Sequence, residues 1–260
     1  MTDQEKQRDT RLDDLLAELS AHPPAPLEPP ETFQAQAAEQ GVTFEPGDLE
    51  RIGRYLALML RVNQAVNLTA VRDADEAWTR HVLDALTLLP LLADLPPEAR
   101  VIDIGSGGGV PGLPLACVLP GLRLTLLEPT AKKAAFLRHA AAILERSNVE
   151  VLADRAERAG RDPERRDGYD VSIARAVGRL HVVAELSLPF VKPGGLGLFI
   201  KGAKADEELE EAKMALHALL ATHAGTVDTP TGRIVVLEKR RPTPAAFPRR
   251  DGEPKRDPIR

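Results

Sequence analysis

The stretch VIDIGSGGGVPG (residues 101–112) places five glycines in eight positions, directly behind an apolar, β-branched run. The run reads as a strand and the residues beyond Gly112 as a helix, so the glycines occupy the turn between them. Glycines there let a ligand approach the backbone closely, and the start of the helix offers N–H groups to a negative charge. The pattern therefore announces a nucleoside cofactor with an anionic end.

Two spellings compete on the same residues. Gly107-x-Gly109-x-x-Gly112 matches the dinucleotide fingerprint, whereas Asp103-x-Gly105-x-Gly107-x-Gly109 matches the methyl-donor loop of S-adenosylmethionine enzymes. A dinucleotide triplet should begin at the strand end, which is Gly105, and from there it fails at Val110. Starting it at Gly107 forces Pro111 into the helix start. Asp103, two residues ahead of the first glycine, belongs to the methyl-donor spelling. Glu128 ends the next strand and suits the ribose hydroxyls of either cofactor; a strand-end ion pair with Lys132 or Lys133 is its plain structural reading.

Around this turn the chain alternates. RVIDIG, RLTLLE, VEVLA, YDVSIAR and GLGLFIKG read as short apolar strands of a parallel sheet covered on both faces. Helices are expected at 112–118, 131–145, about 155–160 and 179–189, then a charged one at 206–220. Segments near 226–229 and 233–239, joined by Pro230, Thr231 and Gly232, predict an antiparallel pair. Ahead of the strands, Leu49, Ile52, Leu56, Met59 and Leu60 share one helical face, and Ala77, Trp78, Val82, Ala85, Leu86 and Leu89 another. Seven strands with a closing hairpin behind a helical cap outline an α/β class I methyltransferase, a Rossmann-like, mostly parallel sheet. The expected organisation is a largely disordered extension over 1–45, a cap over 46–95, the methyltransferase domain over 96–240 and a basic tail over 241–260. Pro23, Pro24, Pro26, Pro29 and Pro30 motivate the disorder, although Leu12, Leu15, Leu16 and Leu19 could line one face of a short helix.

Composition narrows the classes. With 43% hydrophobic and 28% charged residues the 260-residue chain fits an ordinary globular protein. A single cysteine, Cys117, excludes an intramolecular disulfide and a cysteine-based zinc cage, and no metal is expected. No apolar run approaches a membrane span, and the polar start lacks a signal-peptide core, which predicts a cytoplasmic protein. Residues 239–260 carry eight basic and three acidic side chains, a net of +5 on a chain whose total is −5. That asymmetry suits contact with phosphates; a solvated tail explains it equally well.

Several segments together resemble one family, the bacterial 16S rRNA guanine-N7 methyltransferases called RsmG or GidB. They are NLTAV (67–71), RHVLDALTLLPLL (80–92), DIGSGGGVPGLPLA (103–116), EPTAKKAAFLRH (128–139), IARAV (173–177), FIKG (199–202) and FPRRDGEPKRDPI (247–259). The resemblance implies S-adenosyl-L-methionine as cofactor and a guanine of 16S rRNA in the small subunit as acceptor; a monomer is expected. It implies a cofactor pocket of Gly105, Val110, Ala156, Glu157 and Arg175, joined by Asp103, Gly107 and Glu128 from the reading above.

Asn67, Arg80, His81 and Arg175 are the expected catalytic residues, with Thr69 and Asp84 beside them. Lys201, Arg249, Arg250, Lys255 and Arg256 are expected to meet RNA. Each has a plain alternative: a helix cap for Asn67 and Thr69, an i,i+4 surface pair for Arg80 and Asp84, a packed core histidine for His81, an exposed strand-end lysine for Lys201, and a charge-run residue for Glu157. A nicotinamide-dependent oxidoreductase and a non-catalytic ribosome-assembly module are the competing functions.

Overall fold

The computed structural model describes residues 3–259, with side chains from Thr10 onward; Met1, Thr2 and the last residue of the basic tail, Arg260, lie outside the described residues. Four segments precede the sheet: α1 (Asp3–Ala21), α2 (Glu31–Glu39), α3 (Asp48–Val62), and a broken helix that runs as α4 (Ala74–Ala77), a π-helical stretch over Trp78–Leu83 and α5 (Asp84–Leu86). A short α6 (Leu89–Leu92) follows. Strands then alternate with helices: β1 (Arg100–Ile104), α7 (Gly112–Val118), β2 (Arg123–Leu127), α8 (Ala131–Ile143), β3 (Val149–Leu152), α9 (Ala156–Ala159), β4 (Tyr169–Arg175), α10 (Leu180–Ser187) and β5 (Val191–Lys201). Helices α11 (Ala205–Glu211) and α12 (Lys213–Ala218) lead to β6 (Ala221–Thr229) and β7 (Gly232–Lys239), and α13 (Glu253–Arg256) lies in the tail.

The seven strands form one sheet in the order β3-β2-β1-β4-β5-β7-β6. The first five run parallel, and β7 inserts antiparallel between β5 and β6. Their apolar runs are explained by double coverage. On one face α7, α8 and the cap bury Leu113, Cys117, Phe136 and Leu137, and elsewhere Leu180, Leu188, Leu216 and Val235 close a second cluster. The carboxyl ends of β1, β2 and β4 converge where the strand order reverses, the place where such sheets bind ligands.

Two expectations need correction. Residues 10–45 are ordered: Leu12, Leu16, Leu19, Phe33, Ala37 and Val42 are buried in the same core as the cap. Phe33 packs on Trp78 with ring centroids 4.7 Å apart. Between the two helices the proline-rich chain lies against α3, where a Cβ on Gly53 would fall 2.2 Å from the Leu27 carbonyl oxygen. Proline already restricts that segment in the unfolded chain, so ordering it costs less entropy than its composition suggested. The single helix expected over 206–220 is two, and β6 starts at Ala221. Its polar sequence, ATHAGTVDT, is that of an edge strand with a register shift between His223 and Gly225, which hides the strand from a periodicity reading.

Candidate active site

The loop after β1 is built around glycines that take positive φ at 105, 107 and 109 (+72°, +56° and +98°). The Gly105 and Ser106 amides both donate to the Leu127 carbonyl, at 2.8 and 3.1 Å, which ties the turn to the end of β2. Glu128 is buried, and its carboxylate accepts from the Gly107 amide at 2.9 Å and the Thr130 amide at 2.8 Å. Asp103 accepts from the Gly112 amide at 3.2 Å through Oδ2, while its buried Oδ1 has no hydrogen-bond partner among the described residues. Burial is the main reason its carboxyl is pushed up to about 7; Glu128 pushes the same way, and the Ser106 hydroxyl, the Gly112 amide and Arg175 oppose. From the cap, the Tyr55 hydroxyl donates to the Gly108 carbonyl at 2.7 Å and fixes the loop's outer edge.

A cavity of about 410 Å³ opens beside this loop, lined among others by Gly105, Gly107, Val110, Thr69, His81 and Arg175. Arg80 and Lys133 reach its rim. The wall opposite the glycines is an ionic network carried by the cap. Arg175, at the end of β4, places Nε 2.7 Å from Asp84 Oδ2. It also donates through Nη2 to the Arg80 carbonyl at 2.7 Å, and through Nη1 to His81 Nδ1 at 3.2 Å. The other Asp84 oxygen accepts from the Thr231 hydroxyl at 2.5 Å, which brings the β6–β7 turn into the network. His81 Nε2 lies 2.7 Å from Thr69 Oγ1. Burial and then the Arg175 charge drive His81 down to about 4, against a weaker upward pull from the Arg80 backbone and Glu76, so the ring is neutral near pH 7.

The π-helical stretch explains why this wall was hard to foresee. Five-residue hydrogen bonding rotates the side chains away from the i,i+4 pattern. Arg80 keeps an i,i+4 contact, but with Glu76 on the preceding turn at 2.6 Å, whereas Asp84 turns inward to Arg175. Asn63, which nothing in the sequence singled out, shapes the neighbouring loop: its Oδ1 accepts from the Leu68 and Thr69 amides at 2.8 and 3.1 Å. Tyr55 and Thr231 go unmarked in the sequence because their contacts, with Gly108 and Asp84, are distant along the chain.

Other expected residues are placed elsewhere. Asn67 is exposed and lies outside the cavity lining. Ala156 and Glu157 begin α9, beyond β3, also outside that lining; the Glu157 carboxylate accepts from the Gly252 amide of the tail at 2.8 Å. Lys201 is not a free strand-end cation, because it pairs with Glu208 at 2.8 Å and its side chain is 9% exposed. Arg249 is likewise engaged, 2.7 Å from the fully buried Glu185. Both side chains are thus held in internal ion pairs. Arg250, Lys255 and Arg256 are exposed on a tail that folds back onto the body, where Arg166 donates to the carbonyls of Thr243, Pro244 and Phe247.

A doubly covered sheet with a reversed closing hairpin, a glycine loop after its first strand and an acid ending its second define a class I methyltransferase. A solved structure from Methanococcus maripaludis shares this fold at a TM-score of 0.52, with 13% identity over 73% of this chain and 93% of that one. Residues 48–231 match the GidB profile, described as rRNA small subunit methyltransferase G, and the chain belongs to that family. Among its relatives, the ribosomal RNA small subunit methyltransferase G of Sorangium cellulosum is 49% identical over 86% of this chain and 94% of its own length. The protein of the same name from Moorella thermoacetica is 39% identical over 86% and 96%. The dinucleotide spelling of the loop falls with this assignment. No helix among the described residues is long and apolar enough to cross a membrane.

Proposed function

We propose that this protein transfers a methyl group from S-adenosyl-L-methionine to N7 of a guanine in 16S rRNA, acting as a monomer in the cytoplasm on the small ribosomal subunit. The observation that carries the reading is the meeting, in one cavity, of the glycine loop and the cap-borne Arg175–His81–Thr69 wall. The residues present suit the cofactor. Gly105 and Gly107 line the cavity without side chains, and Asp103, behind the turn and outside the lining itself, keeps a buried Oδ1 without a hydrogen-bond partner, which suits a ligand that carries an ammonium group beside its carboxylate. Glu128 keeps acceptor capacity for ribose hydroxyls beyond the two amides it already holds.

When bound, the cofactor supplies an electrophilic methyl on a sulfonium centre. Guanine N7 carries a lone pair at neutral pH, so the protein needs no general base to create the nucleophile. Its task is alignment, which is worth up to ~7–11 kcal/mol when reacting atoms are held in line. Arg175, locked by Asp84 and the Arg80 carbonyl, and the Tyr55-tethered loop supply rigid walls for that alignment. Ala156 and Glu157, at the start of α9 beyond β3, extend the cofactor pocket along the strand ends; Asn67 and Arg80 flank the route by which an unpaired base enters. N7 faces the deep, narrow groove of A-form RNA, so a splayed target suits this arrangement better than a regular duplex. The exposed Arg250, Lys255 and Arg256 contact RNA phosphates.

The test is transfer of labelled methyl from S-adenosylmethionine to small-subunit particles from cells lacking this protein. One methyl per particle, absent with particles from wild-type cells, supports the reading; no transfer to either overturns it.

A further inference from the structure

Thr69 has one hydroxyl hydrogen, and the network around it leaves that hydrogen a single direction. A guanidinium can only donate, so Arg175 Nη1, 3.2 Å from His81 Nδ1, makes Nδ1 an acceptor and puts the ring proton on Nε2. That proton points at Thr69 Oγ1, 2.7 Å away. The Val71 amide donates to the same oxygen at 3.1 Å. Both lone pairs of Thr69 Oγ1 are thereby used by donors, and the hydroxyl hydrogen faces neither. Thr69 is half-buried and lines the cavity between the glycine loop and Arg175, so its hydrogen points to whatever occupies that space. The Asn63 side chain grips the Thr69 backbone from both sides, accepting from its amide at 3.1 Å and donating to its carbonyl at 2.9 Å, so the hydroxyl is presented from a fixed position. A relay of this kind, Asp84–Arg175–His81–Thr69, converts one carboxylate into a hydrogen-bond donor aimed at the ligand.

We infer that Thr69 is a specificity-determining residue that donates to the 6-oxo group of the target purine. The inference rests on the reading that the acceptor atom is N7. On that edge guanine offers two acceptors, N7 and O6, whereas adenine replaces O6 with an amine that can only donate. A fixed donor beside the methylated position therefore accepts a 6-oxopurine and sets donor against donor with adenine. Hypoxanthine, which keeps O6 and lacks the 2-amine, passes the same test as guanine.

The experiment uses reconstituted small-subunit particles carrying guanosine, inosine or adenosine at the methylated nucleotide. The unaltered protein should methylate the first two at comparable kcat/KM, and adenosine at least about tenfold more slowly. Thr69→Val should lower the guanosine and inosine values about tenfold or more while leaving adenosine unchanged, so that discrimination collapses. Thr69→Ser, which keeps the hydroxyl, should restore it. S-adenosylhomocysteine affinity should be the same in all three proteins. Equal rates on guanosine and adenosine with the unaltered protein would overturn the inference without any variant. Discrimination retained in Thr69→Val would overturn it too, as would loss of S-adenosylhomocysteine binding in that variant, since Thr69 would then serve the cofactor. If the unaltered protein methylates guanine at another atom, the N7 reading itself fails, and that result appears before any variant is made.

Discussion

Asp84 Oδ2 lies 2.7 Å from Arg175 Nε, an ion pair formed between the cap and the end of β4 with 7% and 23% of the side chains exposed. Through it the helical cap, the central sheet and, by way of Thr231, the β6–β7 turn share one set of charges. Removing one partner of a largely buried pair leaves the other charge uncompensated, at a cost of ~3–5 kcal/mol when burial is complete and less where, as here, the arginine reaches water. Asp84→Asn should therefore destabilise the protein by ~2–3 kcal/mol and lower methyl transfer at least tenfold. Thr231→Val, which removes only a hydrogen bond to the carboxylate, should cost ~1.5–3 kcal/mol. Urea unfolding alongside initial rates checks both.

Gly105 has a φ of +72° and faces the cavity, with Val177 Cγ2 3.0 Å from where a Cβ would sit. Gly105→Trp should abolish S-adenosylmethionine binding in calorimetry while the circular dichroism of the sheet persists. Normal affinity in that variant would remove the loop from the cofactor site.

Asp103 and His81 give opposite signs to stability against pH. Asp103 is held at about 7 in the folded protein, above its unfolded value, so the folded state binds the extra proton and stability falls as pH rises from about 4 to 7. His81 is held at about 4, below its unfolded value, so stability is lost as pH falls from about 6.5 to 4. Between pH 4 and 6.5 the two largely cancel. Asp103→Asn should remove the first and expose the second: more stable than the parent above pH 7, with a steeper loss on the acid side, and deficient in cofactor binding. Equilibrium unfolding at half-unit pH intervals reads the two slopes.

The tail separates two kinds of arginine. Arg249→Ala orphans Glu185, which is 1% exposed, and should destabilise by ~3–5 kcal/mol. Alanine at Arg250, Lys255 and Arg256 should leave stability and cofactor affinity unchanged. Each of the three that neutralises a phosphate adds ~0.7–0.9 to the slope of log affinity for 16S rRNA against log salt, so the triple variant should show a correspondingly shallower slope. An unchanged slope would take these three residues out of the RNA interface.

What could be read from the sequence follows from where each interaction is made. Strands buried on both faces announce themselves as apolar runs, and the Asp103–Gly105–Gly107–Gly109 loop is local, so sheet, hairpin and glycine turn are legible. The Arg175 network was not, because it joins residues from 63 to 231 through a π-helical stretch that breaks the expected Arg80–Asp84 spacing. Charge alone does not reveal that Lys201 and Arg249 are paired, because their carboxylate partners Glu208 and Glu185 lie on α11 and α10. Proline content misjudged residues 10–45, where six apolar side chains dock onto the cap.

The most direct test of the central claim is the position of the transferred methyl. After incubation of small-subunit particles with the protein and labelled S-adenosylmethionine, the extracted 16S rRNA is treated with borohydride and aniline, which cut the chain at N7-methylguanosine. The account predicts one new cut that coincides with all of the label. Label without a cut, or a cut at an unlabelled position, would contradict it.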